Sequence, residues 1–328
     1  MASLPVLIAG AGPIGLACAV SAKRRGLEPL VIDAGVLVNS VAHYPVGMTF
    51  FTTPDRLEIG GHPLVCAGQK PTREEALKYY RGVVRAEQLA VRPFTRLRDV
   101  TRRDGALACR VETRRGTETV TCGRLVLATG YFDRPNRLGV PGEELPHVHH
   151  YFDEPHRGAY QDVVVVGGGN SAAEAALELF RAGARVTIVC RAPALKATLK
   201  YWVRPDIENR IKDGEIAARL GATVSHIDAA AVTVRRADGS VEVLPADRVY
   251  ALIGFQPDFD LFRRIGITLD AATSRPALNA ATLETNVAGV HMAGSITAGR
   301  ATSEIFIENG RFDGEKIFGD LATRPSRP

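Results

Sequence analysis

Two doubly wound α/β domains, Rossmann-like and three-layered, with one inserted in the other, are what this sequence predicts. A glycine-rich turn between an apolar strand and a helix occurs twice, at Gly10 and again at Gly167, and strand–helix patterning returns near the C-terminus. Length agrees, because 328 residues exceed what one hydrophobic core usually fills and 45% apolar content is that of an ordinary globular protein. The outer domain is expected over residues 1–136 and 259–328, and the inserted one over 137–258.

The first opening reads as a strand over 6–9, the glycine turn, a helix over about 13–25 and a strand over 29–33. The second repeats it with a strand over 163–166, Gly167-Gly168-Gly169, a helix over about 171–182 and a strand over 185–189. Each opening needs its own helix-covered sheet, so the duplication means two domains. Between them, 107–113 and 118–122 alternate apolar and polar side chains about Gly116, as a β-meander would. A similar pair, 232–236 and 241–244, flanks the hairpin signal Asp238-Gly239. Helical spacing over 302–321, after a strand at 290–293, predicts that the chain returns to finish the outer domain.

Composition excludes several classes. The formal charge of +5 is spread along the chain without a basic block, which argues against nucleic acid. No apolar run approaches the roughly twenty residues of a membrane helix, and no secretory pattern opens the chain, so a cytoplasmic protein is expected. The five cysteines, Cys18, Cys66, Cys109, Cys122 and Cys190, form no CxxC pair and no metal-ligand spacing. They are expected to be mostly buried thiols, with no metal.

The chemistry lies in the glycine turns. Gly10, Gly12, Pro13, Ile14 and Gly15 stand where bare backbone lets a pyrophosphate approach a helix N-terminus. Asp33, followed by Ala34, ends the second strand, where a carboxylate can accept hydrogen bonds from an adenosine ribose. The second copy offers Gly167, Gly169, Asn170, Ser171 and Ala172, with Ile253 and Gly254 at the end of the domain. At its ribose position stands Arg191 instead of an acid, with Lys196 nearby. A guanidinium there pairs bidentately with a 2′-phosphate, so this site should prefer NADPH to NADH.

Residues 125–130, closing on Ala128, Thr129 and Gly130, resemble the segment linking the FAD and NADPH domains of the pyridine nucleotide-disulfide oxidoreductase superfamily. Residues 289–295 resemble its second FAD strand, at Gly294, with Ser295 in place of the usual Asp. More specifically, Tyr44-Pro45 with Thr49-Phe50-Phe51, Asp55-Arg56-Leu57 with Ile59-Gly60, Tyr79-Tyr80-Arg81 and residues 305–310 resemble the YpdA-type family of bacillithiol-disulfide reductases, nearly end to end. The resemblance implies an FAD protein that oxidises NADPH and reduces a low-molecular-weight disulfide. It places Tyr44, Phe51, Thr52 and Thr302, with His43 and Thr49, near the flavin. It also implies a homodimer or homotetramer, and because one domain must present its nicotinamide to a flavin in the other, a hinge is expected near 131–137 and 255–278.

One departure stands out. Family members proposed to use a cysteine in the first glycine loop carry it where this chain has Ile14, which has no redox chemistry. Cys18, one helical turn on, is a weak substitute and reads better as a small packed hydrophobe. Either a flavin hydride reaches the disulfide directly, or the acceptor differs. An acidic redox protein (the chain then being a flavodoxin or ferredoxin reductase), flavin monooxygenase chemistry and a non-enzymatic NADPH-binding redox sensor are the alternatives. Trp202 is expected to pack, and Glu308 and Asn309 to line an interface or a substrate mouth.

Overall fold

The computed structural model describes residues 4–319, which form two compact units: 4–43, 47–134 and 255–319 make the first, and 44–46 with 135–254 the second. The first unit opens with β1 (Leu4–Ala9), α1 (Pro13–Lys23) and β2 (Pro29–Ile32). It continues through α2 (Asn39–Ala42), α3 (Pro54–Leu57), α4 (Arg73–Ala86), β3 (Ala90–Arg92), β4 (Thr95–Arg103), β5 (Ala106–Thr113) and β6 (Gly116–Leu127). Leu7, Ile8 and Val31 are fully buried, as parallel strands covered on both faces must be. Strand order is β3-β2-β1-β6-β5-β4, parallel from β3 to β6 and antiparallel beyond.

β6 serves two structures at once. Its first half pairs with β5 in the meander, and its last three residues pair in parallel with β15 (Val290–Met292), which arrives from the far end of the chain after α7 (Phe259–Ile265). Residues 118–122 and 125–127, two separate strands in the sequence reading, are therefore one strand.

The second unit repeats the plan. β7 (Val148–His149), β8 (Asp162–Val166), α5 (Asn170–Arg181), β9 (Arg185–Cys190), α6 (Arg204–Lys212), β10 (Ala217–Leu220) and β14 (Arg248–Ala251) supply a parallel sheet in the order β10-β9-β8-β14-β7 and two of its helices. β11 (Ala222–Ile227), β12 (Ala231–Arg236) and β13 (Val241–Pro245) form a separate antiparallel sheet, its last turn at the expected Asp238-Gly239.

Three expectations change. The closing helix over 302–321 is two short helices, α8 (Ile307–Gly310) and α9 (Asp313–Phe318), and residues 320–321 lie outside the described residues. A helix starting at 302 is pre-empted because the Asn309 side chain caps Phe306 N–H and holds Glu304 O, which fixes the turn locally. The first unit begins again at Phe255 rather than 259, because Phe255 stacks on Phe132, Gln256 N–H donates to Arg134 O, and Arg134 pairs with Asp258 at 2.5 Å. Tyr44 groups with the second unit, where Val46 N–H donates to Asp153 O.

Candidate dinucleotide sites

In the first unit, Gly10 takes φ +115° and hydrogen-bonds Ile32 O, and a Cβ there would overlap Ala128 O. A Cβ at Gly15 would overlap Gly10 O, which is how helix and strand come so close. At Gly12, by contrast, a Cβ would meet nothing within 4 Å, so the middle of the loop is open. The N-cap of α1 is Gly12, without a side-chain cap, and Pro13 occupies the first turn. Helix α4 shows the alternative, since Thr72 and Glu75 close its N-terminus with a capping box. Uncapped N–H groups over an open loop suit a phosphate.

Asp33 is buried at the end of β2, and its carboxylate accepts Ala11 N–H at 2.7 Å and Gly35 N–H at 2.8 Å. Burial pushes its pKa up, against the pull of those two amides. It therefore fixes the loop as well as facing the cleft. That cleft brings Gly10, Asp33, Ala34, Thr129 and Gly130 together. Sequence reading missed Arg96, Tyr131, Asp133 and Arg134 on its walls, which come from a strand and a turn without a motif, and Asp258, the N-cap of α7. Thr129 Oγ1 is buried with no hydrogen-bond partner among the described residues. An orphan hydroxyl beside an open glycine loop fits a bound polar group.

The remaining candidates of this unit lie outside the lining of that cleft. Ile14 is half-buried and Gly294 and Gly310 lie against its side chain, where a Cβ would come within 2.7 and 2.6 Å of Cδ1. Gly294, Ser295 and Thr302 follow β15; Gly294 is buried and the other two half-buried. Phe51 is 44% exposed and meets Phe306 edge-on at 5.8 Å, beside half-buried Thr52. The stretches that carry the family resemblance clamp one segment: Tyr79 OH donates to Ile59 and His62 carbonyls, Tyr80 OH to Leu57 O, and Arg311 to Asp55 and Glu58 carbonyls.

None of the five cysteines lines the cleft. Cys18 is fully enclosed, and burial, with Asp313 beside it, pushes its thiol far up. Cys109 and Cys122 lie in the core of the first unit with sulfurs 3.8 Å apart, and Cys190 is buried behind the second glycine loop. Cys66 is partly exposed, its Sγ directed to Gly68 O at 3.0 Å.

In the second unit, Gly167 N–H donates to Val189 O, and a Cβ at Gly167 would overlap Leu252 O, the same arrangement as at Gly10. Helix α5 is also uncapped, with Gly169 at its N-cap, exposed Ser171 in its first turn and Ala172 buried beneath. Asn170 instead ties the following loop, accepting Lys200 N–H at 2.9 Å. Lys196 N–H donates to Gly168 O, which brings this lysine beside the glycine loop. Arg191, just past β9, and Lys196 are exposed and make no ion pair among the described residues. Ile253 and Gly254 follow β14, with Asn136 donating to Ile253 O at 3.2 Å. Trp202 departs from its expected packing role, since it is 47% exposed with Tyr201 edge-on at 4.8 Å. The loop around it spends its backbone bonds on starting α6, and the Lys200 ammonium lies over the Trp202 ring, 5.5 Å from its centre.

Known proteins place these features in context. The chain matches the pyridine nucleotide-disulphide oxidoreductase family over residues 7–294. It is 42% identical to the bacilliredoxin reductase Bdr of Bacillus subtilis over 97% of each chain. The bacillithiol disulfide reductase Bdr (YpdA) of Bacillus cereus superposes with TM-score 0.95 at 40% identity, covering 99% of this chain and all of that one. Its counterpart from Staphylococcus aureus gives 0.91 at 37%, with the same coverage. Among the described residues no helix is long and apolar enough to cross a membrane.

Proposed function

Since the chain belongs to the YpdA-like branch of the pyridine nucleotide-disulphide oxidoreductase family, as an enzyme whose cofactors are FAD and NADPH, we propose that it reduces bacillithiol disulfide without a thiol of its own. The observation that carries the reading is the pair of helix N-termini without side-chain caps behind glycine turns, one beside a buried carboxylate and one beside two exposed cations. FAD belongs in the first unit, with its pyrophosphate over Gly10, Gly12 and Gly15 and its ribose at Asp33. NADPH belongs in the second, its pyrophosphate over Gly167 and Gly169 and its 2′-phosphate between Arg191 and Lys196. Bound FAD would take a hydride from the nicotinamide and return two electrons to the acceptor. Overall, NADPH, a proton and the disulfide give NADP⁺ and two thiols.

Disulfide exchange needs an enzyme thiolate, and the positions of the five cysteines leave none at the first glycine loop, so direct reduction is the favoured route. We place the protein in the cytoplasm as a homodimer or homotetramer. The test is anaerobic: reduce the flavoprotein with one equivalent of NADPH, alkylate with iodoacetamide, then add bacillithiol disulfide or, separately, oxidised flavodoxin. Fast reoxidation by the disulfide, unaffected by alkylation, is expected. Reoxidation by flavodoxin alone would overturn the substrate, and loss of turnover on alkylation would overturn the thiol-free route.

A further inference from the structure

Three parallel strands of the first unit end side by side. β1 runs into Gly10, β6 into Thr129 and β15 into Gly294, with Ala128 N–H donating to Ala9 O and Ala293 N–H to Leu127 O, both at 2.8 Å. Gly294 therefore lies at the strand end next to Thr129, whose hydroxyl has no partner among the described residues. It turns with φ +76°, which only glycine adopts freely. Its N–H would be a buried orphan too, but a carboxylate nineteen residues later meets it: Asp313 Oδ2 accepts at 2.8 Å, and Asp313 is 8% exposed.

The same turn is held from a second direction. Ile14 presses on Gly294 and on Gly310, and one helical turn further along α1 Gly314 lies on Cys18, where a Cβ would come within 2.8 Å of Cys18 Cα. Glycines thus let α1, α8, α9 and the strand-end turn approach closely, and Asp313 is the charged group in that junction that meets the turn. The groups facing it are the Cys18 thiol and Lys316.

We propose that Asp313 is a positioning residue for the flavin, holding the Gly294–Ser295 turn beside Thr129 through its bond to the Gly294 N–H. This rests on FAD binding in the first unit. The side chain acts through the backbone and not by touching the ligand. An amide oxygen can accept the same N–H, whereas a methyl group cannot.

The experiment compares apo-protein variants by titration with FAD, read as flavin fluorescence quenching, together with thermal unfolding of the apo forms. Asp313→Ala should weaken FAD binding by about tenfold or more, the order expected for one buried hydrogen bond. Asp313→Asn should restore affinity to within about threefold of the parent, a rescue that a purely electrostatic role would not give. The flavin midpoint potential should shift in the Ala variant and return in the Asn variant. Parent-like FAD affinity in a folded Asp313→Ala protein would overturn the assignment, as would equal weakening in both variants. Where Asp313→Ala does not fold, hydrogen exchange across residues 293–298 of Asp313→Asn decides. Parent-like protection on adding FAD supports the proposal, and bound FAD without that protection overturns it. A parent protein that takes up no FAD would instead defeat the proposed function itself.

Discussion

Asp33 and Asp313 show one residue type used twice in the first unit to hold a backbone turn at a strand end. Each carboxylate is buried and accepts backbone N–H bonds, and in each burial outweighs those bonds and raises the pKa. A raised acid contributes stability that is fully present below its unfolded value, near 3.8, and is lost as pH climbs through the folded value. Asp313→Asn removes that loss. Thermal unfolding of the apo-protein at pH 4 and pH 7 should show the Asn variant gaining on its parent as pH rises; a gap that narrows with pH would contradict the burial argument. Arg191 supplies a second residue-scale expectation. Arg191→Ala should weaken NADPH by about 10- to 100-fold while leaving NADH nearly unchanged, as loss of a charge-assisted phosphate contact requires. Steady-state KM values for both coenzymes check it, and an unchanged preference would remove Arg191 from the site.

At the scale of elements, the two glycines flanking Ile14 separate fold from function. Gly15→Ala would drive a methyl into Gly10 O and should cost about 1–3 kcal/mol of apo stability, or several degrees in Tm. Gly12→Ala meets no protein atom, so apo stability should hold while FAD affinity falls. The reverse pattern, measured by melting and FAD titration, would show that the open face of the loop is not where the pyrophosphate lies.

Such motifs made both strand–turn–helix openings legible from sequence, because their periodicity and turn chemistry are local. The double role of β6 was not, since residues 122 and 125 read as separate strands until one sees β5 and β15 sharing its far edge. Helix α4 could have been found from its capping box, Thr72 to Glu75, with Ala76, Tyr80 and Val83 buried at helical spacing. So could Asp258, an N-cap whose carboxylate accepts Leu261 N–H before a helix that ends at Gly266, whereas Arg96 and Asp313 could not, because each reaches its place through tertiary contacts with no signature in its own segment.

The whole molecule divides unevenly. The second unit is nearly continuous, residues 135–254 with only Tyr44–Val46 added, and carries its own parallel sheet and core. The fragment 135–254 should therefore fold alone, melt cooperatively and bind NADPH, as circular dichroism and calorimetry would report. A fragment ending at residue 134 should not, because β15 and α7, which complete its core, are missing. A disordered 135–254 would mean that Tyr44–Val46 is a structural necessity for that unit.

The pairing of β15 with β6 also has a consequence for synthesis. Leu127 leaves the ribosome long before Met292, its register partner, and at cellular elongation rates the gap is roughly ten to thirty seconds. During that time the nascent first half holds an unpaired strand edge and an incomplete core, while the inserted half can already collapse. Chaperone engagement should therefore peak between those two points of translation, and riboflavin starvation should act on the finished chain rather than on the growing one.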